Sequence, residues 1–316
     1  MANYTPITPD NRVEGSGPPD HRWFIALRRV NPFAYTFIIP FLVVFLIFRI
    51  YPFFLGILTS FTDARVGPRP GNYIGFENFV EVMTNSEVRR AFIITFQYSI
   101  IVVPMSFFVG LAMAVYVNRK LATHTISRLV FFAPFVLTAT IIAIVWNWTL
   151  QTQFGLVNVG LGMLGLPDRI AWLKEPVLVL PVIAFITTWW QAGFAMVIFL
   201  GALQSIPSEL LDAARIDGAN AWQSFWKVTF PLLLPVSSLV ITITLIEAMR
   251  VFSLIHIITQ GGPSDYSTSV VYYIFQEGFV RFEQGMAAAV GVVLFLIIMI
   301  LTILRFTLLR ADKEYF

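Results

Sequence analysis

Two ionisable residues, Glu247 and Arg250, lie inside a long apolar run and are the first candidates for chemistry. Their i,i+3 spacing brings both side chains to one face of a helix. A carboxylate and a guanidinium on one face can form an intrahelical ion pair, can hydrogen-bond the hydroxyl groups of a polar ligand, or can hold a proton or an ion. A charge at the centre of a membrane span costs about 2.5–3.5 kcal/mol on insertion scales, so each residue requires a partner or a function.

A polar group also stands among aromatic residues in an earlier apolar run, which contains Trp189, Trp190, Gln191 and Phe194. An aromatic ring can cover the apolar face of a ligand while the amide of Gln191 hydrogen-bonds to its polar groups. Tryptophan near the end of a span is most often an interfacial anchor. Trp189 and Trp190 lie in the middle of the run, so we predict a ligand site at Gln191, with Trp190 and Phe194 beside it.

The composition determines where these residues must lie. Of the 316 residues, 57% are hydrophobic and only 12% are charged, and the mean hydropathy is +0.77. A soluble protein carries about 25% charged residues, so the composition excludes a soluble enzyme. The net charge of +3 comes without a block of lysine and arginine, so no nucleic-acid partner is expected. The sequence has no cysteine and three histidines, so we expect neither a disulfide framework nor a metal site.

Six apolar runs are long enough to cross a hydrocarbon core of about 30 Å, and a span without water must be helical or a closed barrel. No run shows the alternation of barrel strands. We therefore predict an all-α polytopic membrane protein. Lysine and arginine are more frequent on the side of both termini, which places both in the cytoplasm. The predicted spans are about 33–58, 91–117, 129–150, 176–203, 232–258 and 286–308, within a transmembrane domain 32–310 flanked by cytoplasmic tails 1–31 and 311–316.

The cytoplasmic loop 205–231 predicts two short helices. Pro207 and Ser208 are typical of a helix start, and Gly218 can take the left-handed conformation that ends a helix. A second amphipathic piece follows before Pro231, which we expect to start the next span. An apolar stripe on the first helix fits an interfacial helix lying on lipid headgroups as well as a helix docked on a protein. The stripe consists of Leu210, Leu211 and Ala214.

The same loop resembles the EAA loop of the permease subunits of ATP-binding-cassette (ABC) importers. The family pattern is Glu-Ala-Ala, three residues, Gly, nine residues, Ile, one residue, Leu-Pro, and the spacing here is identical. Asp212 stands in place of Glu, Val228 in place of Ile and Phe230 in place of Leu. An Asp-Gly-Ala extension is typical of the carbohydrate branch. The external segment 73–79 and the turn 261–263 are similar to segments of sugar permeases. The residues that carry the main resemblance are Asp212, Ala213, Ala214, Asp217, Gly218, Ala219, Val228, Phe230 and Pro231.

The resemblance implies a type I ABC importer transmembrane fold in a bacterial or archaeal cytoplasmic membrane. It implies four kinds of partner: a second homologous permease, a dimer of ATPase subunits, an extracytoplasmic solute-binding protein and a sugar. The chain itself would be no enzyme and would hold no cofactor, because ATP and magnesium would bind the ATPase. The loop residues from Leu210 to Ala214 and from Asp217 to Ala219 would dock on that ATPase. The implied substrate path contains Glu247, Arg250, Val251, Gln191, Trp190 and Phe194.

Other functions stay open at this point. An ion-coupled secondary transporter would use Glu247 as its proton or ion site, but it gives the loop 205–231 no role. A polytopic membrane enzyme would need converging catalytic groups, and the sequence suggests none. Arg250 also fits an importer of glycerol-phosphate esters or acidic sugars.

Overall fold

The computed structural model of the chain describes residues 32–67, 71–119 and 124–310. Within these ranges the protein is helical, and its only strand-like pairings are two isolated bridges, Thr62 with Tyr73 and Arg65 with Glu283. The described chain divides into two compact units, one ending at Leu55 and the other beginning at Gly56. The predicted tails 1–31 and 311–316 lie outside the described residues.

The helices are α1 (Pro32–Phe45), α2 (Tyr51–Thr59), α3 (Glu77–Thr84), α4 (Ser86–Val117), α5 (His124–Val136), α6 (Ala139–Thr149), α7 (Leu156–Met163), α8 (Pro176–Ser205), α9 (Ser208–Ile216), α10 (Ala221–Ser224), α11 (Phe230–Met249), α12 (Ser253–Ile258), α13 (Val270–Phe275) and α14 (Gln284–Arg310). In the described residues, five continuous or nearly continuous helical stretches are long and apolar enough to cross a membrane. A sixth exists if the bent pair α5–α6 counts as one span.

Two of these stretches contain a π-helical turn immediately before a proline. The turn Leu46–Ile50 joins α1 to α2 ahead of Pro52, and the turn Phe225–Thr229 joins α10 to α11 ahead of Pro231. Proline cannot donate to the carbonyl four residues back, and a wider turn accommodates this loss. Pro231 is the second residue of α11, and helical backbone also precedes it, because the π turn Phe225–Thr229 continues from α10 into α11.

The core of the second unit is built on α4 and α8, which make its most extensive contact. Gly110 allows the close approach, since a Cβ there would lie 2.6 Å from the Cβ of Ala195. Deeper in the contact the Tyr98 hydroxyl and the Thr187 hydroxyl share a buried hydrogen bond of 2.6 Å. This pairing satisfies two polar groups that would otherwise be costly in an apolar interior.

The predicted span 129–150 is not one helix. α5 and α6 meet at 98° across Leu137 and Thr138. Thr138 takes an extended conformation and its hydroxyl accepts from Ile141 N–H at 3.5 Å, so α6 starts with its own cap. The carbonyl of Leu137 would have accepted from Ile141 in a continuous helix and accepts instead from the indole of Trp190 at 3.1 Å.

The predicted span 232–258 is also interrupted. α11 ends at Met249, and the segment 250–252 is not helical before α12 begins. The carbonyl of Val251 accepts from the Ser269 hydroxyl at 2.7 Å, and the adjacent amide of Val270 donates to Thr95 on α4 at 2.9 Å. Backbone outside a helix is tolerated at membrane depth only where protein satisfies it, and the bond from Ser269 does so for the carbonyl of Val251.

Candidate functional site

The loop after α8 folds into a compact unit that we name the 208–224 hairpin: α9, the turn 217–220 and α10. Gly218 has φ +80° and follows the C-cap Asp217. Its N–H donates to Arg215 O at 3.0 Å, and Ala219 N–H donates to Ala214 O at 2.9 Å. These two bonds form a Schellman motif, which satisfies carbonyls that the end of α9 leaves free.

The second helix of the hairpin starts at an equally well-formed cap. The Asn220 side chain accepts from Gln223 N–H at 2.9 Å, and the Gln223 side chain accepts from Asn220 N–H at 3.0 Å. This reciprocal capping box fixes where α10 begins. The turn between the two helices therefore rests on contacts between residues at most six positions apart.

The predicted docking residues do not share one face. Ala214 is buried and Leu211 and Ala219 are half-buried, so these three side chains face the protein's own interior. The other predicted residues are exposed: Leu210, Asp212, Ala213, Asp217 and Gly218. Asp212 forms an exposed ion pair of 2.9 Å with Arg215. A pair this exposed contributes little to stability and leaves the carboxylate available to a partner.

Two strongly exposed apolar residues of the hairpin were not among the predicted docking residues. Ile216, the last residue of α9, is 87% exposed, and Trp222 at the start of α10 is 71% exposed. Ile216 is not at a helical spacing of three or four residues from any member of the predicted stripe, so periodicity did not include it. Exposed apolar side chains beside charged residues are typical of a surface that a partner covers.

Glu247 and Arg250 are both exposed, and in the described part of the chain neither side chain forms a hydrogen bond or an ion pair. The intrahelical pair is therefore absent, because Arg250 lies at the C-terminal end of α11, where the helix stops. Only the backbone joins them, Arg250 N–H donating to Glu247 O at 3.2 Å. Val251 is half-buried and packs against the core next to α8.

The predicted residues of α8 have different surroundings. Trp190 donates to the carbonyl of Leu137, and Phe194 stacks on Phe135 with ring centroids 5.1 Å apart. Both side chains therefore contact the bend between α5 and α6. Gln191 is half-buried, and its amide makes no hydrogen bond to any residue that the structure describes. It is the residue of this stretch with hydrogen-bonding capacity left for a ligand.

An ionic cluster outside the spans links the start of α4 to the segment after α13. Arg281 contacts Glu277 at 2.6 Å and Glu87 at 3.3 Å. The Glu277 side chain is only 3% exposed. Burial raises the pKa of the Glu277 carboxyl above its ordinary value, although a hydrogen bond from Tyr273 and the charge of Arg281 act against that shift. The i,i+4 spacing of Glu277 and Arg281 was the available sequence signal.

Among the described residues no group of three or more His, Asp or Glu side chains could hold a metal ion. The absence of a cofactor on this chain stays a prediction.

The model of the family "binding-protein-dependent transport system inner membrane component" matches residues 106–311. The chain is 32% identical to the probable ABC transporter permease protein YesP of Bacillus subtilis, over 93% of this chain and 96% of that protein. It is 30% identical to the probable starch degradation products transport system permease protein AmyD of Thermoanaerobacterium thermosulfurigenes, over 86% and 91%. The crystal structure of a bacterial ABC transporter involved in the import of the acidic polysaccharide alginate is also similar, with a TM-score of 0.80, 24% identity and coverage of 92% and 99%.

The chain therefore belongs to the family of binding-protein-dependent transport system inner membrane components, and its relatives are named as permeases of ABC transporters. The predicted family and the all-α membrane fold of the type I ABC importer permeases are confirmed. The relatives are named as transport components rather than enzymes.

Proposed function

We propose that the chain is the transmembrane permease subunit of an ATP-driven importer that moves a mono- or oligosaccharide by alternating access. It works with a second homologous permease, a dimer of ATPase subunits and a solute-binding protein that delivers the sugar. ATP and magnesium bind the ATPase, so this chain performs no chemistry of its own. The assembly lies in a bacterial or archaeal cytoplasmic membrane, with both termini of the chain inside.

The 208–224 hairpin is the observation that carries this proposal. Its two helices are fixed by local caps, and it exposes Leu210 and Ile216 beside the charged groups of Asp212 and Asp217. A rigid projection with an apolar centre and a polar rim has the anatomy of a protein docking surface. A partner that changes shape on ATP binding can push such a projection without deforming it. The hairpin then transmits movement to α8 and α11, between which it is inserted.

Gly218→Ala tests the role of the hairpin turn. A Cβ at Gly218 would meet no atom within 4 Å, so the only penalty is the positive φ, about 1–2 kcal/mol for a residue with a side chain. We expect reduced substrate-stimulated ATP turnover in the reconstituted importer, with normal membrane insertion. Gly218→Asn is the matched control, because asparagine adopts this conformation more readily, and it should retain more turnover. Unchanged turnover in both variants would contradict docking through this turn.

The substrate path is proposed to pass Glu247, Arg250, Val251 and Gln191. The first two are charged groups in a span without a partner in the described chain, and Gln191 keeps a free amide. Such groups are stable in a membrane when they face a water-filled cavity or a neighbouring subunit. The interruption at 250–252 brings Arg250 and Val251 out of the helix, next to backbone that is not helical. Trp190 and Phe194 support this wall, since both contact the bend of α5 and α6.

Glu247→Gln and Arg250→Ala test the path. Both remove a charge-assisted hydrogen bond to substrate, worth about 1.5–3 kcal/mol, so we expect uptake by ATP-loaded vesicles to fall about tenfold or more. Association with the ATPase should be unchanged. Arg89→Ala is the control, because Arg89 is an exposed arginine in the first turn of α4. Normal transport by both path variants would mean that Glu247 and Arg250 have a structural role.

Two alternatives follow from the same residues. An ion-coupled secondary transporter would use the carboxylate of Glu247 and would accumulate solute in vesicles under an ion gradient without ATP, but membership of the ABC transporter permease family argues against it. The free guanidinium of Arg250 favours an anionic substrate, an acidic sugar or a glycerol-phosphate ester. Ligand screening of the cognate binding protein, followed by uptake with and without ATP, separates all three.

A further inference from the structure

A large groove lies beside the 208–224 hairpin and is separate from the proposed substrate path. Its volume is about 930 Å³, and most of its wall is apolar. Phe108, Leu111 and Val115 of α4 form one side, and Leu203 of α8 contributes to it. From Phe108 to Tyr116 the groove follows the last turns of α4, a distance of about 12 Å at 1.5 Å per residue.

The end of the groove has a different chemistry. Tyr116, Arg119, Trp222 and Trp226 line it where α4 leaves its apolar stretch. Trp222 and Trp226 pack edge to face at 5.5 Å. Tyrosine and tryptophan are enriched where a span meets the headgroup layer of a bilayer. The groove thus has an apolar length at the depth of acyl chains and an aromatic rim at the depth of headgroups.

The charge at this rim is positive. Arg119 makes no hydrogen bond or ion pair with any described residue, whereas Arg215, which also lines the groove, is paired with Asp212. A free guanidinium presents donors that match the geometry of a phosphate group. Basic pockets between helices on the cytoplasmic side of a membrane are sites where anionic headgroups bind.

We propose that this groove binds one anionic phospholipid of the cytoplasmic leaflet, with its phosphate at Arg119 and an acyl chain along Phe108, Leu111 and Leu203. The lipid fills space between the end of α4 and the hairpin. It therefore contacts the hairpin through the side chains that line the groove, which do not include Leu210 or Ile216.

The test measures lipid retained by the full-length protein, purified with the subunits that accompany it. The protein is equilibrated with equimolar phosphatidylcholine and phosphatidylglycerol, and the bound lipid is identified by native mass spectrometry. We expect about one phosphatidylglycerol per groove, in preference to phosphatidylcholine. Arg119→Gln should lower its retention about fivefold, the effect of one cation near an anionic lipid surface.

Two further variants complete the test. Ala112 lines the groove with an exposed side chain, so Ala112→Trp fills the apolar part and should abolish retention without disturbing the core. Arg89→Gln removes an exposed arginine from the opposite end of α4 and should leave retention unchanged. Equal retention of the two lipids by the unmodified protein would overturn the proposal, as would retention unaffected by both groove variants. A photo-crosslinker at Phe108 that captures a protein segment instead of lipid would also overturn it.

Discussion

Ile216→Lys is expected to release the ATPase subunit while leaving the permease folded. Ile216 is 87% exposed in the chain by itself, so its replacement removes almost no internal contact. A lysine in the last turn of α9 also suits the helix dipole, so the hairpin is not weakened. In the docked state the same side chain would sit in an interface centre, where loss of an apolar anchor costs 2 kcal/mol or more. We expect association to weaken about 30-fold or more, measured by co-purification and by titration of ATPase subunits onto reconstituted permease.

The chain offers a closely matched control in Met163→Lys. Met163 is 83% exposed and is also the last residue of a short helix, α7. It lies in the segment that we expect on the external side of the membrane, which the ATPase does not reach. This variant should bind the ATPase as the unmodified protein does. Equal association of all three proteins would show that the hairpin meets lipid headgroups, the alternative that the sequence left open.

Gly193→Ala is expected to lower the stability of the protein strongly. A Cβ at Gly193 would overlap the carbonyl oxygen of Phe131 and lie 3.0 Å from its neighbour Phe132 Cα, both of which are backbone atoms of α5. Backbone cannot rotate away as a side chain can, so α5 and α8 must separate. Overpacking of this kind costs about 1–3 kcal/mol. The displacement would also disturb the bend that Trp190 and Phe194 contact, so transport should decrease as well.

Gly201→Ala provides the control on the same helix. A Cβ there meets nothing within 4 Å, and alanine is favoured over glycine in a helix by up to about 1 kcal/mol. Thermal unfolding of the detergent-purified protein, followed by size-exclusion chromatography after heating, should rank Gly201→Ala at or above the unmodified protein and Gly193→Ala well below. A shift of the unfolding temperature in the same direction for both variants would contradict the close contact of α5 with α8.

The hairpin shows which structural features can be predicted from local sequence signals. Pro207 before α9 and Gly218 after it were readable as start and stop, and both helix ends lie where those residues predicted. Helix ends are determined by residues within one turn of the helix, so their positions can be predicted from the local sequence. Which side chains face outward depends on how α9 packs against α10 and against the turn Phe225–Thr229. The three residues of the predicted stripe therefore differ in exposure: Leu210 is exposed, Leu211 is half-buried and Ala214 is buried. The exposed Ile216 was missed.

The sequence by itself determined that this chain is a helical membrane protein and a permease of the ABC importer family, because hydropathy and motif spacing are properties of the chain alone. Tertiary structure decided the interruptions at 137–138 and 250–252. Neither segment contains proline or glycine. Each break persists because a distant side chain, Trp190 or Ser269, satisfies the carbonyl that the helix releases. Those partners lie 53 and 18 residues away in the sequence, beyond the reach of any local pattern.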